Sequence, residues 1–459
     1  MPEWLAALKT TVGEDRVLDS PVDLVAYSYD GTFGQGMPAA VVLPETNEQV
    51  SAAIRTAGLY ELGVVTRGMA SGLAGGSIPT QRDIVISLTR MNQILEIDEE
   101  NLTVHTQAGV VTADLQAEVE RFGLFYPPDP SSIRQSTIGG NVACNAGGPR
   151  CLKYGVTGDY VLGLTAVLAD GRILKTGGKP IKDVTGLNLR QLFVGSEGTL
   201  GVITEVLLRL IGKPKYVRTA VAHFPRLEDA AQLVKVTLKQ GLVPATIELM
   251  DATAIACIED AMHLGLPLDI EAILLIECDG LDEQPVQNDI ETVAGICTEC
   301  GASQVAVAKN EAERAKLWHA RRSISPALAR QAPNKLGEDI TVPRSEIPSV
   351  IRSIKQVSVK YGLPVVIFGH AGDGNLHPNI LFDRDKPEHR ETVELMAAEV
   401  FKIALDAGGT LSGEHGVGSF KLPYMRQALG TTSLNIQWRI KQALDPQNIL
   451  NPGKVILPS

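Results

Sequence analysis

Across its 459 residues the chain has no apolar run near the roughly 20 residues that a membrane-spanning helix needs. Any membrane contact is therefore expected to come through partners. Basic residues are not in excess either. The formal net charge is −11, and phosphate backbones are held by clustered Lys and Arg, so no nucleic-acid partner is expected. The start, MPEWLAALKT, has neither a basic segment nor a following apolar core, so no signal peptide is expected. Of the cysteines Cys144, Cys151, Cys257, Cys278, Cys297 and Cys300, only the last two have CxxC spacing. One such pair is a weak metal signal, and four-cysteine iron–sulfur spacing is absent. Any such cluster is expected on another protein. The thiols read as reduced and the location as cytoplasmic. There is no internal repeat, no low-complexity segment and no GxGxxG.

What is present begins with Pro127 to Gly148, PPDPSSIRQSTIGGNVACNAGG. The stretch reads as a long loop without regular structure, which usually has a function. Gly139, Gly140, Gly147 and Gly148 would let backbone amides approach a ligand, because no Cβ intervenes. Ser131, Ser132, Ser136, Thr137, Asn141 and Asn145 add small polar groups, which suits a large, flat, hydrogen-bonding ligand. The plainer reading is a turn at a corner.

Around that stretch, 44% apolar and 21% charged residues fit an ordinary globular enzyme of two or three domains. A helix is expected over 3–12, a strand over 39–43, a helix over 47–60 and a strand over 62–66. The last runs into RGMASGLAGG (67–76), and a strand followed by a Gly-rich turn can aim backbone amides at a phosphate. Pro79 arrives too early for a Rossmann helix. Strands are expected at 83–88 and 102–108, a helix at 112–122, and a hairpin from 161 through the DGR turn at 170–172. In LFVGSEGTLGVIT, Gly195, Gly198 and Gly201 recur around Glu197, as in a tight ligand contact or a plain turn. Beyond Pro214, strands alternate with helices near 226–240, 251–262 and 284–300 in a second α+β unit. A helix over 311–330 follows, then a strand–turn–strand over 365–382, a helix over 387–406 and another over 434–443.

Chemistry concentrates in two Gly-rich turns. His370 and His377 bracket GHAGDGNLH, and a strand–turn–strand would set them side by side, with Asn379 on the face of His377. Glu414 and His415 are adjacent in SGEHGVG. Two His and a carboxylate suit a divalent metal, and a further His suits a base, whereas a lone His in a turn is usually structural. Arg321 and Ser325, in WHARRSIS, are expected on one face of one helix. Arg321 would anchor a carboxylate bidentately and Lys335 would add a second charge. The plain alternative pairs Arg321 or Arg322 with Glu311 or Glu313 at a surface.

In the order PPDPSS, TIGGNVACNAGG, GSEGTLGVIT, GHAGDGNLH, SGEHGVG and DPQNILNPGK, these motifs resemble the FAD-linked oxidase family of the vanillyl-alcohol-oxidase (PCMH) type. The branch is that of the D-2-hydroxyacid dehydrogenases, including the flavin subunits of glycolate oxidases. The resemblance runs from about residue 20 to the NPGK end. It implies an α+β fold. A PCMH-type FAD-binding domain of two α/β subdomains (1–213) would be followed by a substrate, or cap, domain with an antiparallel sheet flanked by helices (214–410). A C-terminal segment (411–459) would return to complete the active site and the FAD domain. Arg67, Gly68, Met69, Ala70, Ser71, Gly72 and Gly75 would hold the pyrophosphate of a non-covalent FAD. Pro128, Asp129, Ser132, Thr137, Gly140, Asn141, Asn145, Gly147, Glu197, Gly198 and Ile203 would surround the flavin, with Asn451 and Lys454 returning to it. His370, His377 and Glu414 would ligate zinc, manganese or iron. His415 would be the base, and Arg321, Ser325 and Lys335 would hold the substrate carboxylate near Asn379. Ala70 replaces a common glycine, which is tolerable where φ is negative. No His stands where covalent-flavin relatives carry one; Cys144 and Cys151 are the thioether candidates.

The implied reaction is oxidation of a small 2-hydroxy acid, glycolate or D-lactate, by hydride transfer to the flavin. Electron-transfer partners would be iron–sulfur and second flavin subunits, and a homo-oligomer is an open alternative. D-2-Hydroxyglutarate would need further cationic contacts. A flavin-dependent alkyl transferase without net redox would instead need a phosphate-binding cap and an apolar tunnel. A FAD-binding scaffold without activity would gain nothing from buried ionisable groups.

Overall fold

The computed structural model describes residues 1–458. They divide into two compact units. The first comprises Met1–Gly148, Val156–Lys213 and Glu414–Ser459; the second comprises Pro149–Gly155 and Pro214–Gly413.

The first unit holds two main sheets. In one, the parallel strands Ala40–Val42, Asp83–Ser87 and Gly63–Arg67 lie side by side, and Val17–Leu18 pairs antiparallel at the outer edge. AVV and IVI are continuous apolar runs because such strands are covered on both faces. The helix Asn47–Leu59 starts where Thr46 accepts from the Gln49 amide at 3.2 Å. Its Val50, Ala53, Ile54 and Ala57 pack with Val64, Ile84 and Ile86 in one core cluster. A fully buried aliphatic side chain of this size contributes about 1.5–3 kcal/mol. The second sheet is antiparallel, in the order Ile94–Asp98, Thr103–Gln107, Val202–Arg209, Val161–Val167, Ile173–Gly177. Asp170 Oδ1 accepts from the Arg172 amide at 3.0 Å and fixes the turn of the last hairpin.

The stretch Pro127–Gly148 is not wholly irregular. Thr137 caps a short helix, Ile138–Cys144, which ends at Asn145 with φ 52°. A two-turn helix in a Gly-Gly sequence carries almost no periodic signal, which is why the sequence reads as loop.

The C-terminal tail joins the edge of the parallel sheet. The Val64 amide donates to Ile449 O at 2.7 Å, and the Asn451 amide donates to Val64 O at 2.8 Å. The last helix is longer than expected, Met425–Leu444, with a break at Gly430 (φ 71°). On it, the 2%-exposed Lys441 donates to Asp445 Oδ2 at 2.5 Å, Thr199 O at 2.8 Å and Leu450 O at 2.7 Å. Asp445 in turn accepts from the amides of Ile449 and Leu450. This buried pair clamps the tail.

The second unit is built on one antiparallel sheet: Gln304–Val307, Tyr216–Phe224, Ala272–Gly280, Thr246–Asp251, Val365–His370, Asn375–Phe382 and Asn334–Gly337, with Ile340–Thr341 also paired to Asn375–Phe382. Helices Leu227–Lys239, Ala252–Met262, Glu283–Glu299 and Pro387–Asp406 accompany it, close to the spans the periodicity gives. The helix expected over 311–330 is two helices, Glu311–Arg322 and Ile324–Gln331. Pro326 explains the break: in a continuous helix its ring would meet the Arg322 carbonyl four residues back.

Replacing Lys441 by Met leaves Asp445 buried without its cation. The expected cost is about 3–5 kcal/mol, read as a lower urea midpoint by circular dichroism. An unchanged midpoint would show that the pair contributes nothing to the clamp.

Candidate functional site

In the first unit, the glycine segments converge on Glu197. Its φ is 49°, in the left-handed region. Its carboxylate accepts from the Val417 amide at 2.7 Å and the Gly418 amide at 3.0 Å. Its own amide donates to Ala143 O at 2.8 Å, and its carbonyl accepts from Asn451 Nδ2 at 2.7 Å. Burial raises the Glu197 carboxyl above its ordinary range, and the two amides oppose the rise. Asn451 Nδ2 and Lys454 Nζ both donate to Gly76 O, at 3.1 and 3.0 Å. The segments 67–76, 138–145, 195–198, 416–418 and 451–454 are thus held together within this unit.

Several glycines are required by the protein itself. A Cβ on Gly68 would strike Thr137 Oγ1, one on Gly139 would strike Ala108, and one on Gly148 would meet the Asp129 backbone. Gly72, by contrast, has open space where a Cβ would point, and Gly140 meets only Thr137 Oγ1 at 3.2 Å. The open approach expected of Gly139 and Gly148 is therefore filled by neighbouring chain. Ser71 Oγ lies 3.4 Å from Ser132 Oγ. Asn141 donates to Thr112 Oγ1 at 2.7 Å, Asn145 Oδ1 accepts from the Gly158 amide at 2.8 Å, and Pro128 O accepts from Gln116 at 2.9 Å. Ile203 is a buried sheet residue paired with Ala166.

Ala70 has φ 52°, so the condition under which alanine is easily tolerated there, a negative φ, is not met. The chain turns through the left-handed region here although a Cβ strains it. Met69 beside it is exposed.

Three polar atoms around this cradle are buried without a hydrogen-bond partner among the described residues: Thr66 Oγ1, Arg67 Nε and Asn451 Oδ1. Arg67 Nη1 donates to Tyr29 O at 3.0 Å, and burial lowers the guanidinium below its ordinary range. A cationic donor beside Gly-rich backbone fits a dinucleotide's pyrophosphate: Thr66 Oγ1 and Arg67 Nε can donate to its oxygens, whereas Asn451 Oδ1, an acceptor, calls for a donor elsewhere on the ligand. Cys144 is pushed up to about 12 by burial and by Glu197, so its thiol stays protonated.

In the second unit, Glu248 sits in the strand Thr246–Asp251 at 0% exposure. Cross-strand register puts it opposite His370. His370 Nδ1 is hydrogen-bonded to Glu248 Oε1, and Arg321 reaches Oε2 with Nε and Nη2, each at 2.6 Å. Burial alone would raise Glu248; His370 and Arg321 outweigh it and hold the carboxyl near about 2. The Arg321 guanidinium also lies 4.8 Å from the Phe368 ring centre. His370 Nε2 and His377 Nε2 face each other at 3.4 Å. Lys335 Nζ donates to Ser325 Oγ at 2.5 Å, and burial lowers Lys335. Asn379 Nδ2 donates to His377 O at 2.8 Å. Arg321 and Ser325 are on different helices, so they share no helical face. Instead of the surface pairing with Glu311 or Glu313, Arg321 pairs with the buried Glu248, and Glu311 pairs with Arg314.

Asp339, also at 0% exposure, accepts from Asn375 Nδ2, Ser412 Oγ and the Gly413 amide at 2.5, 2.7 and 2.9 Å. Glu414 and His415, both partly exposed, follow directly in the chain. Sequence reasoning missed Glu248 and Asp339. The one available signal for Glu248 was a charged residue inside the apolar run TIELM.

Residues 213–455 match the family described as FAD linked oxidases, C-terminal domain, and residues 38–177 match an FAD binding domain. The chain belongs to the FAD-linked oxidases. The glycolate oxidase subunit GlcD of Bacillus subtilis (strain 168) is 46% identical over 96% of this chain and 94% of its own length. A D-lactate dehydrogenase of Anaerostipes hadrus is 36% identical over 98% and 95%. The structure of p-cresol methylhydroxylase with substrate bound superposes with a TM-score of 0.83 at 18% identity, over 98% of this chain and 96% of that one, which shows a shared fold. This FAD-linked oxidase is an FAD-dependent oxidoreductase with the α+β, PCMH-type architecture. Among the described residues no helix is long and apolar enough to cross a membrane.

Two outcomes follow for the first unit. Ala70→Gly relieves the left-handed strain, and the apoprotein should gain about 1 kcal/mol, seen as a higher melting temperature; a loss would mean the turn is not held as described. Lys454 Nζ, which also donates to Ile78 O at 2.6 Å, is pushed down to about 8 by burial, from 10.5. Between pH 8 and 10.5 the unfolded chain binds the proton and the folded one does not, so stability rises with pH across that window. The penalty, about 3 kcal/mol in full below pH 8, is absent in Lys454→Met. Comparing urea titrations of the two apoproteins from pH 7.5 to 10.5 checks this; parallel curves would refute it.

Proposed function

We propose that this FAD-linked oxidase oxidises a small 2-hydroxy acid, glycolate or D-lactate, to the 2-oxo acid. The observation that carries the reading is the buried polar cluster of the second unit. It sets the Nε2 atoms of two imidazoles 3.4 Å apart and brings a guanidinium from a neighbouring helix to the carboxylate that one of them also meets. Relatives named as a glycolate oxidase subunit and a D-lactate dehydrogenase support the substrate class.

Bound FAD supplies the two-electron acceptor for the α-hydrogen, taken as hydride. Arg67, the 68–75 loop, Thr66 and Asn451 would hold it, along with Ser132, Thr137, Glu197 and Gly198. Arg321 offers its remaining Nη1 edge to the substrate carboxylate, because Glu248 occupies Nε and Nη2. Lys335, hydrogen-bonded to Ser325, adds a second cation, and Asn379 is fixed on the His377 carbonyl. His415 takes the hydroxyl proton as the C–O bond becomes a carbonyl.

His370, His377 and Glu414 are assigned as ligands of a divalent ion. Two nitrogen ligands at zinc distance and tetrahedral angle stand about 3.3 Å apart, which the 3.4 Å separation of the two Nε2 atoms matches. Such an ion would offer its charge to the hydroxyl oxygen as the proton leaves. We assign the acceptor that reoxidises the flavin to a separate subunit, a reading that relatives named as subunits support.

Anaerobic stopped-flow absorbance near 450 nm, with glycolate, D-lactate, L-lactate and D-2-hydroxyglutarate in turn, tests the reading. Bleaching by glycolate or D-lactate, slowed at least 100-fold in His415→Ala, is expected. Bound flavin that none of the four acids reduces would remove the substrate class.

A further inference from the structure

We propose that Glu248 is a positioning residue that sets the metal-binding tautomer of His370 and the orientation of Arg321 at once, through its two carboxylate oxygens. This rests on the reading of His370 and His377 as metal ligands.

A fully buried carboxylate in an apolar strand costs several kcal/mol to desolvate unless its partners are well placed. Here the backbone fixes them. Glu248 and His370 are cross-strand neighbours in the antiparallel pair Thr246–Asp251 and Val365–His370. A carboxylate only accepts hydrogen bonds, so the hydrogen of the neutral imidazole is on Nδ1, where Glu248 Oε1 takes it. The lone pair is left on Nε2, which is the nitrogen that faces His377. The ring cannot present Nδ1 instead without leaving Glu248 Oε1 buried and without this partner. Metal-bound His residues commonly donate their second nitrogen in this way, and loss of the acceptor typically lowers metal affinity 10–100-fold.

The other oxygen, Oε2, takes Nε and Nη2 of Arg321. With Phe368 under its plane, the guanidinium has one edge committed and Nη1 left over. The same side chain therefore aims both the group that meets the metal and the group that meets the carboxylate. An ion pair that served stability alone would need neither the Nδ1 contact nor a two-oxygen split between different partners.

The experiment uses the FAD-loaded protein, stripped of metal with a chelator and titrated with Zn2+ against a chromophoric competitor. Glu248→Gln keeps the shape, but its single carbonyl oxygen cannot serve both donors. Zinc binding is expected to weaken 10–100-fold, and KM for the acid to rise about tenfold at saturating zinc. Arg321→Lys should raise KM while zinc affinity stays within about twofold. Wild-type zinc affinity in a folded Glu248→Gln protein overturns the proposal. Failure of the wild type to bind zinc sinks the metal reading, and this inference with it. Should Glu248→Gln not fold, 15N spectra of histidine-labelled wild-type protein, assigned with His370→Asn, decide the point. A His370 signal with Nδ1 protonated and Nε2 shifted by zinc supports the proposal, and coordination through Nδ1 overturns it.

Discussion

The first unit depends on one carboxylate answering two backbone amides that have no other partner among the described residues. Val417 and Gly418 present their N–H groups from one glycine turn, and Glu197, from another, accepts both. A buried amide left unanswered costs about 1–3 kcal/mol, so Glu197 fixes the distance between the two turns. The geometry leaves no slack: a Cβ on Gly416 would come within 2.8 Å of the Glu197 carboxylate, and one on Gly76 within 3.2 Å. Glu197 holds a left-handed backbone to do this, as do Ala70, Asn145 and Asn451 nearby. Strain of about 1–3 kcal/mol per residue persists only where the surroundings over-determine the backbone, and here they do so where the glycine segments converge.

The second unit answers a different constraint. Its sheet is apolar on long stretches, as in AILLIEC, yet the unit buries Glu248, His370 and His377 on strands and Asp339 in the link between two of them. Each would be costly alone. They are tolerable because each carboxylate is shared: Glu248 between His370 and Arg321, Asp339 among Asn375, Ser412 and the Gly413 amide. Removing any one member strands the rest.

How much of this could be read from the sequence depends on separation along the chain. His370 and His377 lie seven residues apart on a hairpin, so local geometry predicts their meeting, and their Nε2 atoms do meet. Glu248 lies 122 residues from His370, and only sheet register joins them. The period-3.6 pattern gave Leu227–Lys239 and Pro387–Asp406 almost to the residue. It overruns the break at Ser323, where Pro326 prevents one continuous helix whatever the apolar spacing. The backbone sign at Ala70 was beyond reach, since alanine itself says nothing of a left-handed turn that neighbouring segments impose.

The cradle draws on chain positions 375 residues apart, Gly76 and Asn451, because the clamp of Lys441 and Asp445 delivers the tail to the sheet edge. On a ribosome adding about 5–20 residues per second, the 67–76 turn is made roughly 20–75 s before its closing partner exists. During that interval the whole second unit, contiguous from Pro214 to Gly413 but for one short segment made earlier, is synthesised and can fold. Order of assembly is thus written into the connectivity: the inserted unit first, the closure of the cradle last. A nascent chain stalled before residue 451 would lack the tail segment that completes it.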